Sequence, residues 1–149
     1  MGDSIVVGTD GSDSAKLAVD EAIRLAKALG VGLHIVSAYE PVRGARISGA
    51  PEGAAKVWAP LPDTLVESTL SQAAAPARMR DVEVTTHAIP RDPVDALLDV
   101  AADVDAGLIV VGSKGMHGAR RLSLGNVPNQ ISHKATCNVL IVNTDQAKT

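Results

Sequence analysis

The sequence predicts an α/β domain, a doubly wound three-layer sandwich around a parallel sheet. Strand-like runs and helical patterns alternate five times along the 149 residues, and the connections are long enough for right-handed crossovers between parallel strands. The runs at residues 4–8 and 108–111 are apolar and lead into glycine-containing turns. One domain, residues 1–149, fits the length, and the 46% hydrophobic content suffices for its core.

The first third of the chain is predicted as strand, helix and strand. Residues 4–8 form a β-branched run that ends in a polar turn, after which Ser12 or Ser14 can cap a helix. Gly30 ends that helix, and residues 33–38 form the second strand.

A long loop is predicted over residues 40–62. It holds four prolines, three glycines and Trp58, with one turn of helix expected at residues 54–57. Loops of this length are uncommon in compact domains. It is expected either to cover a site or to be disordered.

The middle of the chain predicts a helix and an edge strand. Thr64 and Glu67 form a capping box, and we expect the helix to kink or end at Pro76, because an interior proline costs about 3 kcal/mol. Residues 82–88 alternate apolar and polar side chains, which predicts a strand at the sheet edge with one solvated face.

The last third predicts two more strand and helix pairs. Asp92 and Pro93 are a cap and first residue for a helix, and residues 108–111 form a fully apolar strand. After a glycine-rich loop, Asn126 is expected to cap a helix that ends near residue 135, followed by a final strand at 139–142.

The glycine-rich loop after residue 111 is the best candidate for chemistry. Gly112, Gly115 and Gly125 allow backbone N–H groups to approach phosphate oxygens, and the following helix adds its positive dipole end. Residues 106–144 contain no Asp or Glu but four Lys and Arg residues, in a chain of net charge −3. This charge pattern suits a small anion. On charge alone, a solvated basic loop explains it equally well.

Other phosphate motifs are absent or partial. The chain has neither a Walker A sequence nor the Gly-x-Gly-x-x-Gly pattern of dinucleotide sites. Residues 9–14 half-match the phosphate loop of ATP pyrophosphatases, at Gly11, Asp13 and Ser14, but helix capping explains those three residues equally well.

Taken together, the segments 5–12, 33–36, 92–93 and 108–125 resemble the universal stress protein family, and the resemblance extends over essentially the whole chain. The spacing Gly-x2-Gly-x9-Gly is similar to the signature of its ATP-binding branch. The resemblance implies an adenine nucleotide alpha hydrolase-like fold with a five-stranded parallel sheet of order 3-2-1-4-5. It also implies a homodimer paired through the last strand, residues 139–142, and ATP held at the strand ends.

The resemblance also implies site residues by position. Gly8, Thr9 and Asp10 would border the nucleotide, and Ile35 would offer backbone contact to adenine. Ribose and phosphates would be held by Gly112, Gly115, Gly125, Asn126 and Val127. Apart from the resemblance, the basic side chains Lys114, His117, Arg120 and Arg121 are further phosphate candidates, with surface solvation as the alternative for each. The family usually has a hydroxyl where this chain has Asn126, which bears on γ-phosphate contact, and residues 127–129 resemble a subgroup that prefers cyclic AMP. Asp10 is the one candidate for assisting Mg²⁺.

The predicted function is therefore an ATP-binding, cytoplasmic stress-response regulator or sensor with slow or no hydrolysis. Cyclic AMP binding, a dimeric interaction module without nucleotide, and an ATP pyrophosphatase-type enzyme are the alternatives. The acidic balance argues against nucleic acid, and no apolar run is long enough for a membrane span. Cys137, the single cysteine, fits a reducing compartment, and His34 is expected to be a hydrogen-bonded core residue. His87 and His133 lie on other elements, so no metal-ligand spacing is predicted.

Overall fold

A computed structural model describes residues 3–40, 61–113 and 126–144. In chain order its elements are β1 Ser4–Gly8, α1 Asp13–Leu29, β2 Leu33–Glu40, β3 Leu61–Pro62, α2 Asp63–Met79, β4 Val84–Ile89, α3 Pro93–Asp103, β5 Ala106–Gly112, α4 Asn126–Lys134 and β6 Asn138–Val142.

The strands form one parallel sheet between two helical layers. The five longer strands lie in the order β4-β2-β1-β5-β6, which confirms the predicted order 3-2-1-4-5. The sixth strand, β3, is only two residues long and pairs with Tyr39 and Glu40 at the end of β2, within the segment predicted as loop. One core packs α1 and α2 against the sheet, and a second packs α3 and α4 against its other face.

Helix α1 begins and ends where the sequence predicts. The Ser12 hydroxyl accepts a hydrogen bond from Ala15 N at 3.1 Å. At the other end Gly30 adopts the left-handed conformation with φ 71° and donates its N–H to Ala26 O at 2.8 Å. Such caps satisfy backbone groups that have no partner inside the helix. They fix the position of the turn that precedes the helix.

Helix α2 departs from the prediction at both ends. It starts after Pro62 without a side-chain cap, so Thr64 lies inside the helix and the capping-box prediction was wrong. It also continues through Pro76 to Met79. Its buried residues, Val66, Leu70, Ala74 and Ala77, recur at helical spacing on both sides of the proline. Burying a side chain the size of Val or Leu is worth about 1.5–3 kcal/mol, enough to offset the cost of the proline.

The second half of the chain largely follows the prediction. Asp92 caps α3 through its side chain, with Pro93 as the first helical residue. Strand β4 pairs with β2 alone among the described strands, as expected of an edge strand. Asn126 differs from the prediction because it is a residue of α4 and not its cap.

Two predicted loops fall largely outside the described residues. These are segment 41–60, with Trp58 and the expected helical turn at 54–57, and segment 114–125 of the glycine-rich loop. Within the described ranges, none of the helices has the length and apolar character that crossing a bilayer would require.

Candidate functional site

The candidate site lies at the carboxyl edge of the sheet, where β1 ends between β2 and β5. Gly8 pairs with Val36 of β2, and Val7 pairs with Val110 of β5. The hydrogen bonding between β1 and β2 extends one residue beyond β1, because Thr9 N donates to Val36 O at 2.9 Å. In doubly wound sheets ligands bind at such an edge, where the strand order reverses direction.

The turn after β1 is held by two bonds from backbone to side chain. Gly11 N donates to the Thr9 hydroxyl at 3.1 Å, and Ser12 N donates to Asp10 Oδ1 at 2.9 Å. Gly11 has φ +85°, a conformation that side-chain-bearing residues rarely adopt. Thr9 is buried and Asp10 is half-buried. A carboxylate has capacity for several hydrogen bonds, so the turn fixes Asp10 without exhausting that capacity.

A buried serine that sequence analysis missed supports this turn from β2. Ser37 is fully buried, and its hydroxyl donates to the Thr9 carbonyl oxygen at 2.9 Å. The signal in the sequence is weak, because Ser37 is one polar residue in a strand that also contains His34 and Glu40. Its bond satisfies a backbone carbonyl just beyond the end of β1.

Ile35 lies inside the sheet, whereas its predicted role is a backbone contact to adenine at the edge of the sheet. It pairs with Val7 on one side and Thr86 on the other, and its side chain is fully buried in the core with α1 and α2. Backbone groups in a strand alternate between its two neighbours. Since Leu33 N donates to Glu83 O, next to β4, Ile35 also directs its backbone groups toward β4. Ser37 and Ala38 are the β2 residues beside the turn.

The end of β5 is tied to the chain beyond β6. Gly112 is the last residue of β5, and Ser113 N donates to Val142 O at 2.8 Å. Thr144 N donates to the Ser113 hydroxyl at 3.1 Å, and the two hydroxyl oxygens lie 3.4 Å apart. Thr144 is only 3% exposed. This pair, also missed by sequence analysis, fixes the start of the glycine-rich loop.

Of the remaining predicted site residues, two are described. Asn126 is exposed, and its side-chain oxygen accepts a bond from Gln130 Nε2 at 3.1 Å. Val127 is buried with Ile131 in the core beneath α4, so its side chain anchors the helix. Lys114, Gly115 and Gly125 lie outside the described residues. The structure thus brings Gly8, Thr9, Asp10 and Gly112 to one edge of the sheet.

A cavity of about 270 Å³ adjoins the same turn on the face covered by α1 and α2. It is lined by Thr9, Gly11, Ser12, Lys16, Val19, Asp20, Thr69, Gln72, Ala73 and Pro76. A Cβ added to Gly11 would lie 3.4 Å from two side-chain atoms of Thr69, so the turn and α2 are in near contact.

The histidine expected in the core has an unexpected partner. His34 is half-buried, and its Nδ1 lies 2.9 Å from Nε2 of His87 on β4. Burial lowers the pKa of His34, although the Glu83 carboxylate opposes the shift. Burial also lowers the pKa of His87, with a further lowering from His34 and an opposing effect of Asp103. Sequence spacing gave no sign of this pair, because 53 residues separate its members.

Comparisons with known proteins agree with this architecture. The family model of the universal stress proteins matches residues 1–143. Universal stress protein Rv1636 of Mycobacterium tuberculosis is 38% identical over 145 residues, covering 95% of this chain and 96% of that protein. Universal stress protein YxiE of Bacillus subtilis is 29% identical over 155 residues, with 95% and 99% covered.

Solved structures show the same fold. A universal stress protein in complex with cAMP superimposes with a TM-score of 0.72 at 31% identity, covering 96% of this chain and 98% of that one. The universal stress protein from Archaeoglobus fulgidus in complex with dAMP gives a TM-score of 0.67 at 25% identity, with 93% and 96% covered. On the strength of the family match and these relatives, the chain belongs to the universal stress protein family.

Proposed function

We propose that this protein binds an adenine nucleotide at the carboxyl edge of its sheet and acts as a stress-response regulator. The observation that carries the proposal is the fixed turn from Thr9 to Ser12, which presents the half-buried Asp10 next to the end of β5. Two family members of similar fold are complexes with adenine nucleotides, cAMP and dAMP. Both of those ligands carry a single phosphate.

Each part of the edge has a distinct proposed role. Asp10 accepts hydrogen bonds from the ribose hydroxyls or the adenine amino group, and the β2 backbone near Ala38 lies beside the base. Gly112 lets the ribose approach the end of β5. Lys114, Gly115, Gly125 and Asn126 supply the phosphate contacts, and Val127 anchors the helix whose dipole favours the anion.

The proposal extends to ATP, with or without Mg²⁺, as a second ligand. Asn126 has an amide group in place of a hydroxyl, and its oxygen already accepts a bond from Gln130. The remaining NH₂ group can donate to a phosphate. We therefore propose that nucleotides with one phosphate, cyclic AMP included, bind at least as tightly as ATP, and that any hydrolysis is slow.

Isothermal titration of the full chain with cAMP, AMP and ATP, the last with and without Mg²⁺, tests this proposal. Asp10→Asn removes the charge but keeps an oxygen for the Ser12 N–H, so the turn should persist. Replacing a charged by a neutral hydrogen bond costs about 1 kcal/mol, which lowers affinity about fivefold. Asp105→Asn is the matched control, because Asp105 is exposed just before β5, at the amino end of the sheet.

Absence of binding by all these nucleotides at millimolar concentration would reject the function. Equal weakening by both aspartate variants would reject the role of Asp10. Release of inorganic phosphate from ATP measures turnover in the same samples.

We further propose a homodimer paired through β6. Among the described strands, β6 pairs with β5 alone, and its apolar residues 139–142 are only half-buried. An apolar edge strand of this kind is a template for pairing with another chain. Light scattering after gel filtration should give the mass of a dimer for the wild type and of a monomer for Ile141→Lys. A wild-type monomer would contradict the proposal.

A further inference from the structure

A histidine pair joins the edge strand β4 to its neighbour β2, away from the candidate nucleotide site. In the register of the two strands His34 lies opposite Thr85, two residues before His87. The imidazoles therefore lie diagonally across adjacent strands, on the face packed against α3. Nδ1 of His34 is 2.9 Å from Nε2 of His87, and the ring centroids are 5.1 Å apart. The two nitrogens thus share one hydrogen bond, in which one ring donates and the other accepts.

This hydrogen bond restricts the tautomers of the neutral rings. If Nδ1 of His34 donates, Nε2 of His87 must be unprotonated, so each ring carries its proton on Nδ1. If Nε2 of His87 donates instead, each ring carries its proton on Nε2. In either arrangement both rings have the same tautomer, and the donor ring has a lone pair on its outward nitrogen.

The pair can take up one proton without losing its hydrogen bond, but not two. The first proton binds the outward nitrogen of the donor ring, which becomes an imidazolium that still donates to its neutral partner. The charge strengthens that bond. The remaining lone pair of the two rings is then the one on the accepting nitrogen. A second proton at this nitrogen places two N–H groups and two positive charges opposite each other, so the bond is lost.

Burial and nearby charges determine the pH at which the pair titrates. Burial lowers the pKa of His34, against a smaller raising effect of the Glu83 carboxylate. Burial also lowers the pKa of His87, as does His34, whereas Asp103 at the end of α3 raises it. The other charged residues of α3 and of the turn before it are Arg91, Asp92, Asp95 and Asp99. In the folded chain both rings therefore take up protons at a lower pH than the value of about 6.5 for an unfolded chain.

We propose that the histidine pair is an acid-sensitive link that fixes the edge strand β4 to β2 and is lost when both rings are protonated. Among the described strands β4 pairs with β2 alone, so the pair lies where the sheet has the least support. Val84 and Ala88 still pack against the core with α1 and α2. Acid is therefore expected to loosen β4 within a folded domain.

The link also makes the stability of the chain depend on pH. Because the folded chain binds these protons less readily than the unfolded chain, the stabilisation is present above pH about 6.5 and is lost as the pH falls below that value. Each proton taken up on unfolding raises the equilibrium constant of unfolding about tenfold per pH unit.

A glutamine double variant tests the pH dependence. His34→Gln with His87→Gln keeps amide groups that can hydrogen-bond between the strands but do not titrate. His133→Gln is the matched control, because His133 is exposed on α4. Between about pH 7.5 and 5, the unfolding constants of the wild type and the control, measured in urea by circular dichroism, should rise about tenfold more than that of the double variant. Equal pH dependence of the wild type and the double variant would overturn the inference.

Two measurements by nuclear magnetic resonance on the wild type keep the test independent of how well the variant folds. The ring ¹⁵N shifts at pH about 8 should show the same tautomer for both histidines, and different tautomers would overturn the inference. Between about pH 7 and 5, the β4 amides should lose more protection from hydrogen exchange than the β5 amides, after correction for intrinsic rates. Equal changes in the two strands would show that the protons do not act on β4, and would overturn the inference as well.

Discussion

The turn at Gly11 adjoins the proposed nucleotide site, so a single added methyl group can test whether the backbone conformation there affects nucleotide binding. Gly11→Ala places a side chain at φ +85°, where left-handed backbone costs an L-residue about 1–2 kcal/mol. The nearest Thr69 atoms, 3.4 Å from the new Cβ, are at ordinary contact distance, so the cost comes from the backbone. For a chain of this size that cost corresponds to a fall in Tm of roughly 2–8 °C.

Relief of the strain in Gly11→Ala would shift the turn and weaken the bonds that fix Thr9 and Asp10. Loss of one such bond, worth about 0.5–1.5 kcal/mol, lowers nucleotide affinity roughly 2- to 10-fold.

Gly30→Ala is the matched control for this experiment. Gly30 has φ +71° at the other end of the same helix, and no described atom lies within 4 Å of its added Cβ. Calorimetry should therefore show similar losses of Tm for the two variants, whereas titration with cAMP should show weaker binding for Gly11→Ala alone. Wild-type affinity in Gly11→Ala, or equal loss of affinity in both variants, would refute the coupling between this turn and the site.

Three further changes test other parts of the chain. Pro76→Ala restores an N–H for the Gln72 carbonyl and should raise stability by up to about 3 kcal/mol; a Tm at or below the wild-type value would show that the proline carries no such cost here. Ser12→Ala removes the bond to Ala15 N and should cost about 1 kcal/mol, seen as a lower urea midpoint with an unchanged m-value, while Ser12→Asp should largely retain the cap. Burial raises the pKa of the Cys137 thiol, so its alkylation by iodoacetamide at pH 7 should be slower than that of free cysteine and should reach half its limiting rate at a higher pH. Matching rates in the folded chain and in urea would contradict this last expectation.

The sequence predicted the elements whose signals are local. The β-branched run at residues 4–8, the cap at Asp92 and the stop at Gly30 each depend on a few neighbouring residues. The order of the strands is not a local signal, because right-handed crossovers allow several orders, and its prediction came from the resemblance to the family. Pro76 shows the limit of this reasoning, because the burial of Leu70 and Ala77 is a tertiary effect that the local penalty does not include.

The candidate site was predictable at its backbone turns but not in its supporting contacts. Glycines and polar residues after β1 and β5 mark the two loops directly. The bonds from Ser37 to Thr9 and between Ser113 and Thr144 join residues 28 and 31 positions apart, and only the register of the strands brings them together. Ile35 shows the same limit. Backbone groups along β2 alternate between β1 and β4, and the sequence does not reveal which of the two strands the groups of Ile35 face.

The bonds between Ser113 and Thr144 give the carboxyl-terminal part of the chain a mechanical role. Ser113 N is bonded to Val142 O and Thr144 N to the Ser113 hydroxyl, so the end of the last strand is directly connected to the residue at which the glycine-rich loop begins. A truncation after residue 142 would remove both contacts that Thr144 makes with Ser113 and would leave the pairing of β5 with β6 in place. A force applied to the end of β6, whether from a fused tag or from a bound protein, would therefore reach the loop without passing through the core.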